Sequence, residues 1–384
     1  MTSGPRRLVV VGGALAGHRS AVHARRLDPE LEITLLAAEN ELPYQRPPLS
    51  KGYLLGSVSD QRVRLRGAGE GYRFLPSSPA VGLDLARSEV LTNEKSYRFD
   101  LLIVATGAHP RHLQGLPPDE RVLYLRTIAD ANRLREALAR IHHLTIVGGG
   151  FIGAEVAFSA QRMGVAVTIV EQSSHLLSRA VGPGASRLIE ANLERNGIEL
   201  VLGSTMTVES GNTQQIVSDG TREWSTDLVV VAIGVIPSTQ WLGGALPLRD
   251  DGGVAVNQFG FVDGYPQIGA AGDVASWYHP LYSRPLRFEH FEVAANQAIH
   301  CVEALVGDKH IPYRDLPFGW SDQGELLIQI LGQPSASLAE DEESVKDGHL
   351  FLYHNDDRIE GAILVNAAEE LTALQERILS SLAG

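Results

Sequence analysis

The chain has 384 residues, of which 44% are apolar and 21% are charged, and its formal net charge at pH 7 is −13. This length and composition predict a folded protein of about two or three domains and exclude an intrinsically disordered chain. The excess of acidic residues argues against a protein whose main role is to hold nucleic acid, because such proteins cluster Lys and Arg to neutralise phosphates.

The predicted elements begin with a short apolar strand at residues 8–11, which follows two arginines and ends in glycines. A signal peptide also places basic residues before an apolar run, but this run is too short, and no apolar stretch of membrane length occurs elsewhere. We therefore expect a cytoplasmic protein with no membrane partner.

Further along the chain, apolar runs alternate with amphipathic stretches. Predicted strands lie at residues 102–104, 144–147, 167–170 and 227–231, and predicted helices lie at residues 129–141 and 183–196. Continuous apolar strands that alternate with helices indicate parallel sheets covered on both faces, which is the α/β fold class.

The pattern changes after about residue 316. Here we predict a strand at 325–330, a solvated acidic loop at 340–343, a hairpin of residues 350–353 and 359–365, and a closing helix at 369–382. This tail predicts a small C-terminal α+β domain.

The chain contains a single cysteine, Cys301. One thiol forms no intramolecular disulfide, redox dithiol, iron–sulfur cluster or structural zinc site, so we expect a buried thiol on a helix. The histidines show no spacing with acidic residues that predicts a metal site, and no Gly-x-Ser-x-Gly motif predicts a hydrolase. Disulfide-reductase and metal chemistry are therefore not expected.

The strongest organisational signal is an internal repeat. Residues 9–17, a β-branched run that enters glycines, reappear as residues 145–153, and residues 102–110 reappear in the same order as residues 229–237. Two repeated pairs in one order predict two related strand–helix–strand domains. A protein built in this way holds two nucleotides.

The second copy carries the pattern Gly148-x-Gly150-x-x-Gly153 between a predicted strand and a predicted helix. Glycines in such a turn allow close approach to a pyrophosphate, and the helix N-terminus receives the anion. Glu171 ends the next strand, where a carboxylate accepts hydrogen bonds from ribose hydroxyls and repels a 2′-phosphate. We predict an NAD site here, with NAD preferred over NADP.

The first copy, Gly12-Gly13-Ala14-Leu15-Ala16-Gly17, departs from this pattern. Ala14 replaces the middle glycine, and Ala37 stands where the ribose-binding acid is expected, so the nearest carboxylate is Glu39. Either this site accepts a slightly shifted dinucleotide, or it binds one with reduced affinity. We favour the first alternative, because one methyl group is a small perturbation and the surrounding motifs are intact.

Five further motifs carry a family resemblance. They are Pro43-Tyr44-Gln45-Arg46-Pro47-Pro48-Leu49-Ser50-Lys51, Leu125-Arg126-Thr127, Ala271-Gly272-Asp273-Val274, Glu289-His290-Phe291 and Trp320-Ser321-Asp322-Gln323. Their order resembles the FAD-containing ferredoxin reductases, which are the NADH-dependent partners of Rieske dioxygenases and haem-thiolate monooxygenases. The resemblance covers nearly the whole chain.

This resemblance implies a fold with two Rossmann-like dinucleotide-binding domains of the glutathione-reductase type. We expect an FAD-binding domain formed by residues 1–110 and 241–316, and an NAD-binding domain at residues 111–240. The small α+β domain occupies residues 317–384.

The resemblance also implies which residues hold the cofactors FAD and NAD(H). The residues that it assigns to FAD are Gly12, Gly13, Ala14, Leu15, Ala16, Gly17, Glu39, Arg46, Lys51, Val81, Ala105, Thr106, Gly107, Arg126, Gly272, Asp273, Glu289, His290, Phe291 and Trp320. The residues that it assigns to NAD(H) are Gly148, Gly150, Phe151, Ile152, Gly153, Glu155, Glu171, Arg179, Ile233 and Gly234.

Three of these residues have catalytic roles by the same resemblance. Lys51 matches a lysine that reaches the flavin N5 edge, and Glu155, in the first turn of the helix, matches its acidic partner. Trp320 matches a tryptophan beside the isoalloxazine, where it limits the access of solvent and acceptor. A purely structural role predicts instead an exposed, unpaired lysine and a core tryptophan.

The remaining assignments concern binding. Asp273 resembles the acid that accepts a ribitol hydroxyl, and Arg46 and Arg126 resemble arginines that contact FAD, with surface arginines as the alternative. Phe291 stands where the family often has tryptophan, so the flavin pocket differs in detail. Arg179 resembles a residue near the adenosine end of NAD.

The favoured function is a reductase that passes electrons from NADH through FAD to a ferredoxin of the two-iron type, or less readily a rubredoxin, which serves an oxygenase. Such carriers are usually acidic, so docking requires a local basic patch, for which Arg287 and Arg314 are candidates. Two alternatives are a flavoprotein that acts directly on a small molecule and a nucleotide-bound sensor with slow redox turnover. We expect a monomer or a homodimer and no nucleic-acid partner.

Overall fold

The computed structural model describes residues 5–113, 119–211 and 214–383. The chain divides into two compact units. Unit 1 comprises Met1–Gln45, Arg64–His109 and Ile236–Pro317, and unit 2 comprises Arg46–Val63, Pro110–Val235 and Phe318–Gly384. Unit 2 thus holds most of the predicted NAD-binding domain and the predicted C-terminal domain, and the division into three domains stays a prediction. Residues 1–4, 114–118, 212–213 and 384 of the predicted domains lie outside the described residues.

Short strands and seven helices make up the described chain. The strands are β1 (Arg7–Val11), β2 (Glu32–Leu36), β3 (Arg73–Leu75), β4 (Ala80–Asp84), β5 (Glu89–Thr92), β6 (Ser96–Arg98), β7 (Leu101–Val104), β8 (Ala108–Pro110), β9 (Val122–Leu123), β10 (His143–Val147), β11 (Ala166–Glu171), β12 (Glu199–Leu202), β13 (Thr207–Ser210), β14 (Gln215–Ser218), β15 (Glu223–Thr226), β16 (Leu228–Val231), β17 (Val235–Pro237), β18 (Val254–Val256), β19 (Phe261–Val262), β20 (Tyr265–Ala270), β21 (Ala275–His279), β22 (Arg284–Leu286), β23 (Phe318–Gln323), β24 (Leu326–Gly332), β25 (Ala339–Val345), β26 (Gly348–Asn355) and β27 (Arg358–Val365). The helices are α1 (Leu15–Leu27), α2 (Asp60–Val63), α3 (Ile128–Leu138), α4 (Phe151–Arg162), α5 (Pro183–Arg195), α6 (Phe291–Leu305) and α7 (Leu371–Ala383).

Unit 1 is built on one nine-stranded sheet in the order β22-β21-β18-β19-β20-β7-β1-β2-β3. Its centre is parallel, with Val10 of β1 opposite Leu35 of β2 and Ile103 of β7. All three side chains are fully buried, because α1 and α6 pack against this sheet and against each other. Burial of each such side chain contributes about 1.5–3 kcal/mol to the stability of the fold.

Unit 2 contains the second parallel sheet, in the order β12-β11-β10-β16-β9. Ile146 of β10 lies opposite Ile169 of β11 and Val230 of β16, which is the same arrangement as at the centre of unit 1. Beside this sheet, the antiparallel strands β13-β14-β15 form a small separate sheet. The C-terminal part of unit 2 is the antiparallel sheet β23-β24-β27-β26-β25, on which α7 packs.

These sheets confirm the predicted fold class of two Rossmann-like nucleotide-binding folds and a C-terminal α+β part. The predicted helices and parallel strands are present with ends shifted by at most three residues, and the predicted hairpin is the pair β26 and β27. At α3 the boundary is fixed by Thr127, whose side chain accepts a hydrogen bond from the N–H of Asp130, while the Asp130 carboxylate accepts one from the N–H of Thr127.

The prediction of a loop at residues 340–343 is wrong, because these residues form the edge strand β25, which pairs with β26. Asp341 and Glu342 are exposed, as the prediction of a solvated segment expects. Each of the four acids of this strand has a partner. Oε1 of Glu342 lies 3.0 Å from Nδ1 of His349, and Oδ2 of Asp341 lies 3.4 Å from Nε2 of His354. Glu340 accepts hydrogen bonds from the N–H of Gly184 (2.5 Å) and the hydroxyl of Tyr353 (2.7 Å). Glu343 pairs with Arg377 at 2.8 Å, which lowers the pKa of the carboxyl. Charged side chains on an edge strand also oppose pairing with another chain.

The two glycine turns have the same geometry in both units. Gly12 has φ +127° and Gly148 has φ +105°, a region that favours glycine. A Cβ atom on Gly12 would lie 2.0 Å from the carbonyl O of Ala105, and one on Gly148 would lie 2.5 Å from that of Ala232. In each turn the backbone therefore passes directly against the end of a neighbouring strand.

The single thiol is buried on a helix, as predicted. Cys301 lies within α6 and is fully buried, and this burial raises its pKa to about 12. A thiol that stays protonated is neither a nucleophile nor a redox centre at neutral pH.

Substitution of the last glycine of the second turn is expected to destabilise unit 2. A Cβ atom on Gly153 would lie 2.3 Å from the carbonyl O of Gly148, whereas one on Gly150 would meet nothing closer than 3.9 Å. We expect Gly153→Ala to cost about 3 kcal/mol or more and Gly150→Ala to leave the fold intact. Thermal melts of the two variants check this difference, and equal midpoints would contradict it.

A buried histidine is the basis of a second stability prediction. His279 ends β21 and is 1% exposed, and its Nε2 lies 3.1 Å from the carbonyl O of Asp315. The rings of Tyr313, Tyr282 and Phe288 surround it. Burial lowers the pKa of His279 to about 4, although the hydrogen bond to Asp315 opposes this shift.

We expect His279 to make the folded protein less stable in mild acid. Its folded pKa lies below the unfolded value of about 6.5, so the unfolded chain takes up a proton first as the pH falls. The contribution is fully present above about pH 6.5 and is lost towards pH 4, by about 3 kcal/mol at most. Urea unfolding at pH 7 and pH 5 should therefore show a smaller loss of stability for His279→Gln than for the wild type, and equal losses would contradict the prediction.

Candidate functional site

In unit 1 the start of α1 is open to an anion. Ala14 is the N-cap residue and has extended backbone, and no side chain of the described residues caps this helix. Its first N–H groups therefore remain available, which is how such helices hold phosphate. Because Ala14 has the same extended backbone as Gly150 in the second turn, the fold accepts the alanine without strain. Leu15 and Ala16 follow as buried residues of the first helical turn.

The motif at residues 271–274 lies beside this helix. Gly272 has φ +78°, and a Cβ atom on it would lie 3.2 Å from the Cβ of Ala16. Its N–H donates a hydrogen bond to Oε1 of Gln297 on α6 at 3.0 Å, a partner that the sequence reasoning missed. Asp273 follows Gly272 directly in the chain, so its backbone lies close to the open helix end.

In unit 1, Ala37 stands where the ribose-binding acid is expected, as the sequence predicts. A Cβ atom on Gly13 would lie 2.5 Å from the Cβ of Ala37, just as one on Gly149 would lie 3.2 Å from the Cβ of Glu171. Ala37 thus corresponds in space to Glu171. The carboxylate of Glu39 lies two residues further on and accepts a hydrogen bond from the hydroxyl of Tyr44.

The strand end at residues 105–107 is held by a residue that the sequence reasoning missed. The hydroxyl of Thr106 donates to the carbonyl O of Ser238 at 2.8 Å, and the N–H of Ser238 donates to the carbonyl O of Gly107 at 2.9 Å. Val81 lies on β4 and is 49% exposed. The only sequence signal for Ser238 is its position directly after the repeated segment 229–237.

The 289–291 motif lies at the start of α6, with His290 as its N-cap residue and Phe291 as its first residue. Burial lowers the pKa of His290, and the charge of Asp273 opposes this shift. Arg287 pairs with Glu289 at 2.8 Å and donates to the carbonyl O of Asp273 at 3.1 Å. The side chain of Arg287 is only 15% exposed. It therefore stabilises this motif and is not available on the surface to bind an acidic partner.

In unit 2 the second glycine turn contacts the predicted ribose-binding acid. Glu171 accepts a hydrogen bond from the N–H of Gly149 at 2.7 Å and another from the N–H of Ser173 at 2.8 Å. Gly150 is the N-cap of α4, and no side chain of the described residues caps the helix. Phe151 and Ile152 are its first two residues, and both are partly exposed.

The second strand end of unit 2 faces Arg179. Gly234, which follows Ile233, has φ +94°, and a Cβ atom on it would lie 3.6 Å from Nη1 of the exposed Arg179. The loop between Glu171 and Arg179 is held by Glu190 on α5, which accepts a hydrogen bond from the N–H of Leu176 at 2.8 Å. The sequence reasoning missed Glu190, because a helical Glu gives no local sign of such a role.

The predicted Lys51–Glu155 pair is present in unit 2. Nζ of Lys51 lies 2.8 Å from Oε1 of Glu155, and Glu155 is 6% exposed. The lysine is therefore neither unpaired nor fully exposed. One detail of the prediction is wrong: α4 begins at Phe151, so Glu155 is its fifth residue and lies beyond the first turn.

Trp320 and the two arginines also belong to unit 2. Trp320 lies on β23, is half-buried, and has its ring centroid 6.3 Å from that of Phe318, so it is not a core residue. Arg46 donates a hydrogen bond to the carbonyl O of Arg126, directly before α3. Both arginines are half-buried, which fits a binding role better than a surface role.

The residues assigned to FAD are therefore divided between the units. Unit 2 holds Arg46, Lys51, Arg126 and Trp320, and unit 1 holds the others. In the ranges that the structure describes, no group of three His, Cys, Asp or Glu residues is placed to hold a metal ion. Nor does any helix there have the length and apolar character needed to cross a bilayer.

Comparison with known proteins decides the family. Residues 6–298 match the pyridine nucleotide-disulphide oxidoreductase family. The chain belongs to this family. It is 33% identical to the rubredoxin-NAD(+) reductase of Ectopseudomonas oleovorans, over 85% of this chain and 86% of that one. It is also 33% identical to the anthranilate 1,2-dioxygenase system ferredoxin--NAD(+) reductase component of Burkholderia cepacia, over 96% and 93% of the two chains.

A solved structure gives the same result for the fold. The covalent putidaredoxin reductase–putidaredoxin complex matches with a TM-score of 0.91 and 28% identity, over 99% of this chain and 94% of that chain. The resemblance to ferredoxin reductases that the motifs carry is thus confirmed. This pyridine nucleotide-disulphide oxidoreductase is an enzyme, and its cofactors are FAD and NAD(H).

The residues of this oxidoreductase fit both cofactors. Each unit presents an uncapped helix N-terminus beside a glycine turn whose first glycine has no room for a side chain, which suits a pyrophosphate. In unit 2 the carboxylate of Glu171 has lone pairs beyond its two backbone hydrogen bonds, so it can also accept hydroxyl groups. The roles of the individual residues remain proposals.

Loss of the Glu171 charge is expected to weaken the preference for NADH. In Glu171→Gln the repulsion of a 2′-phosphate disappears, and an amide NH₂ group comes to face a backbone N–H, so the turn is also less well held. We expect the NADH-to-NADPH ratio of kcat/KM to fall about tenfold. Steady-state rates with both nucleotides measure this ratio. The exposed Glu223→Gln is the control, and an unchanged ratio in Glu171→Gln would contradict the role.

Proposed function

We propose that this oxidoreductase takes electrons from NADH and passes them through FAD to a small iron–sulfur carrier protein, a two-iron ferredoxin or less readily a rubredoxin, which serves an oxygenase. The relatives from Ectopseudomonas oleovorans and Burkholderia cepacia are named as reductases of rubredoxin and of ferredoxin. We further propose that the enzyme acts in the cytoplasm.

One observation carries this proposal. The chain has the two nucleotide-binding folds of a pyridine nucleotide-disulphide oxidoreductase, yet its single cysteine is fully buried within α6. An internal disulfide, which requires two thiols, is therefore not available as an electron acceptor. Electrons that enter from NADH must leave to an acceptor outside the chain.

The residues of the chain contribute binding, orientation and charge. Bound FAD supplies the redox chemistry, since it accepts two electrons as a hydride and releases them one at a time. Lys51 would hold a positive charge near the hydride-accepting edge, and Glu155 would fix the position of that charge. Trp320, half-buried and next to Ser321, would limit which acceptors approach.

Docking of an acidic carrier requires a basic site on this acidic chain. Arg287 is paired with Glu289, whereas Arg314 is exposed. Arg314 is therefore the remaining candidate for the docking site. Opposite charges at such a site raise the association rate more than the affinity, and salt screens them. We therefore expect carrier reduction to slow as the ionic strength rises.

Anaerobic spectroscopy tests the proposal. The FAD-loaded protein should lose its visible flavin absorption quickly with one equivalent of NADH and much more slowly with NADPH. Under steady-state conditions it should reduce a two-iron ferredoxin faster than a rubredoxin, and Arg314→Glu should lower the ferredoxin rate without changing flavin reduction by NADH. Rapid NADH oxidation with a small quinone but with neither carrier would instead support a flavoprotein that acts on small molecules.

A further inference from the structure

The carboxylate of Glu155 is the meeting point of three segments of unit 2 that are remote in sequence. Oε1 accepts hydrogen bonds from Nζ of Lys51 at 2.8 Å and from the hydroxyl of Ser321 at 2.6 Å. Oε2 accepts one from the hydroxyl of Ser50. The side chain of Glu155 is only 7% exposed, so these donors replace water around a buried charge.

Neighbouring side chains fix the direction of the Ser321 hydrogen bond. Nε2 of Gln323 lies 3.2 Å from the hydroxyl of Ser321, and an amide nitrogen can only donate. The oxygen of Ser321 therefore accepts from Gln323, and its one proton is donated to Glu155. A hydrogen bond from a neutral donor to a charged acceptor is stronger than one between neutral groups.

The same strand carries Trp320. Along β23 the side chains alternate, so that Ser321 and Gln323 are buried while Trp320 is half-buried and Asp322 is exposed. β23 packs against α4, the helix that carries Glu155. Ser321 thus joins the strand of Trp320 to the carboxylate that holds Lys51.

Lys51 has a second carboxylate within reach. Oδ2 of Asp322 lies 4.0 Å from Nζ, and its side chain is 52% exposed. The ammonium group therefore has one buried and one solvated partner. Whether the ammonium group stays on Glu155 or moves to Asp322 depends on whether Oε1 of Glu155 is fixed in position.

We propose that Ser321 is a positioning residue: by donating to the carboxylate oxygen that receives Lys51, it keeps the lysine on Glu155 and away from Asp322. The inference rests on the proposed function for the importance of Lys51, but the placement itself is a property of the chain. Ser50 completes the arrangement on the other oxygen, and its own backbone is held because the hydroxyl of Ser159 donates to its carbonyl O at 2.7 Å.

The lysines of this chain make the placement of Lys51 directly observable. There are only four, namely Lys51, Lys95, Lys309 and Lys346. Selective ¹³Cε labelling of lysine in the full-length, oxidised, FAD-loaded protein therefore gives four side-chain signals, and Lys51→Arg assigns one of them. We expect a Lys51 signal that is separate from the other three in the wild type and moves towards them in Ser321→Ala.

Two variants separate positioning from packing. Ser321→Cys keeps nearly the same volume but is a poor donor, so it should move the Lys51 signal as Ser321→Ala does, even if the alanine variant folds poorly. Ser321→Thr keeps the hydroxyl and suits a strand, so it should restore the wild-type signal. Thr145→Val is the matched control, because it removes a buried hydroxyl that bonds to Trp224 in the same unit and does not touch Glu155.

The second measurement compares the rate constant of flavin reduction with the dissociation constant of NADH. In Ser321→Ala the rate constant of flavin reduction by NADH should fall about tenfold, while the dissociation constant of NADH changes less than twofold. Ser321→Thr should recover the rate, and Thr145→Val should retain it.

The two measurements also separate this inference from the proposed function. An unmoved Lys51 signal in both Ser321→Ala and Ser321→Cys would overturn the positioning role, as would a rate loss shared equally by Thr145→Val. If the wild-type protein reduces no iron–sulfur carrier, the proposed function fails, while the Lys51 signals still decide the role of Ser321.

Discussion

Both nucleotide-binding folds depend on one constraint, the passage of backbone directly against backbone where the first strand turns into its helix. At Gly12 and at Gly148 the space that a side chain would fill is already taken by the carbonyl of Ala105 or Ala232. This contact sets the height of the helix above its sheet and places the open helix end beside the carboxyl ends of the central strands. The predicted ligand-binding segments at the glycine turns and strand ends follow from that placement, since in each unit they are loops that leave the same sheet edge.

Unit 2 has a second constraint, which is the buried carboxylate of Glu155. A carboxylate such as that of Glu155 is costly to remove from water unless donors surround it, and loss of one partner of a buried pair costs about 3–5 kcal/mol. The chain meets this requirement with three donors from two distant motifs, Ser50 and Lys51 from one and Ser321 from the other. The result couples the loop of Lys51 to the strand of Trp320, so that two residues with proposed roles in electron transfer are held by one group.

Much of this arrangement could be predicted from the sequence because the signals are local. Continuous apolar strands, glycine turns and the acid at Glu171 each follow from residues within one strand–helix–strand unit, and all are found where the repeat indicates. The contacts of Ser321 and Ser238 could not be predicted, because a lone serine has no periodicity and its partner is more than 100 residues away. The acidic segment at residues 340–343 was predicted as a loop for the same reason. Its pairing with β26 and the partners of Glu340 depend on the folded chain.

That acidic strand also has a consequence for how unit 2 unfolds. The N-terminus of α5 has no side-chain cap of its own; instead, the N–H of Gly184 donates to Glu340 and the N–H of Gly182 donates to the hydroxyl of Tyr353. The C-terminal sheet thus supplies hydrogen-bond acceptors to the first turn of α5, the helix that holds the loop between Glu171 and Arg179 through Glu190. Unfolding of the tail would expose these amides and loosen that helix, so the C-terminal part is not a detachable module. Unit 2 should therefore melt as a single cooperative unit. The amides of the C-terminal sheet and of the sheet β12-β11-β10-β16-β9 should then show the same free energy of opening in hydrogen exchange.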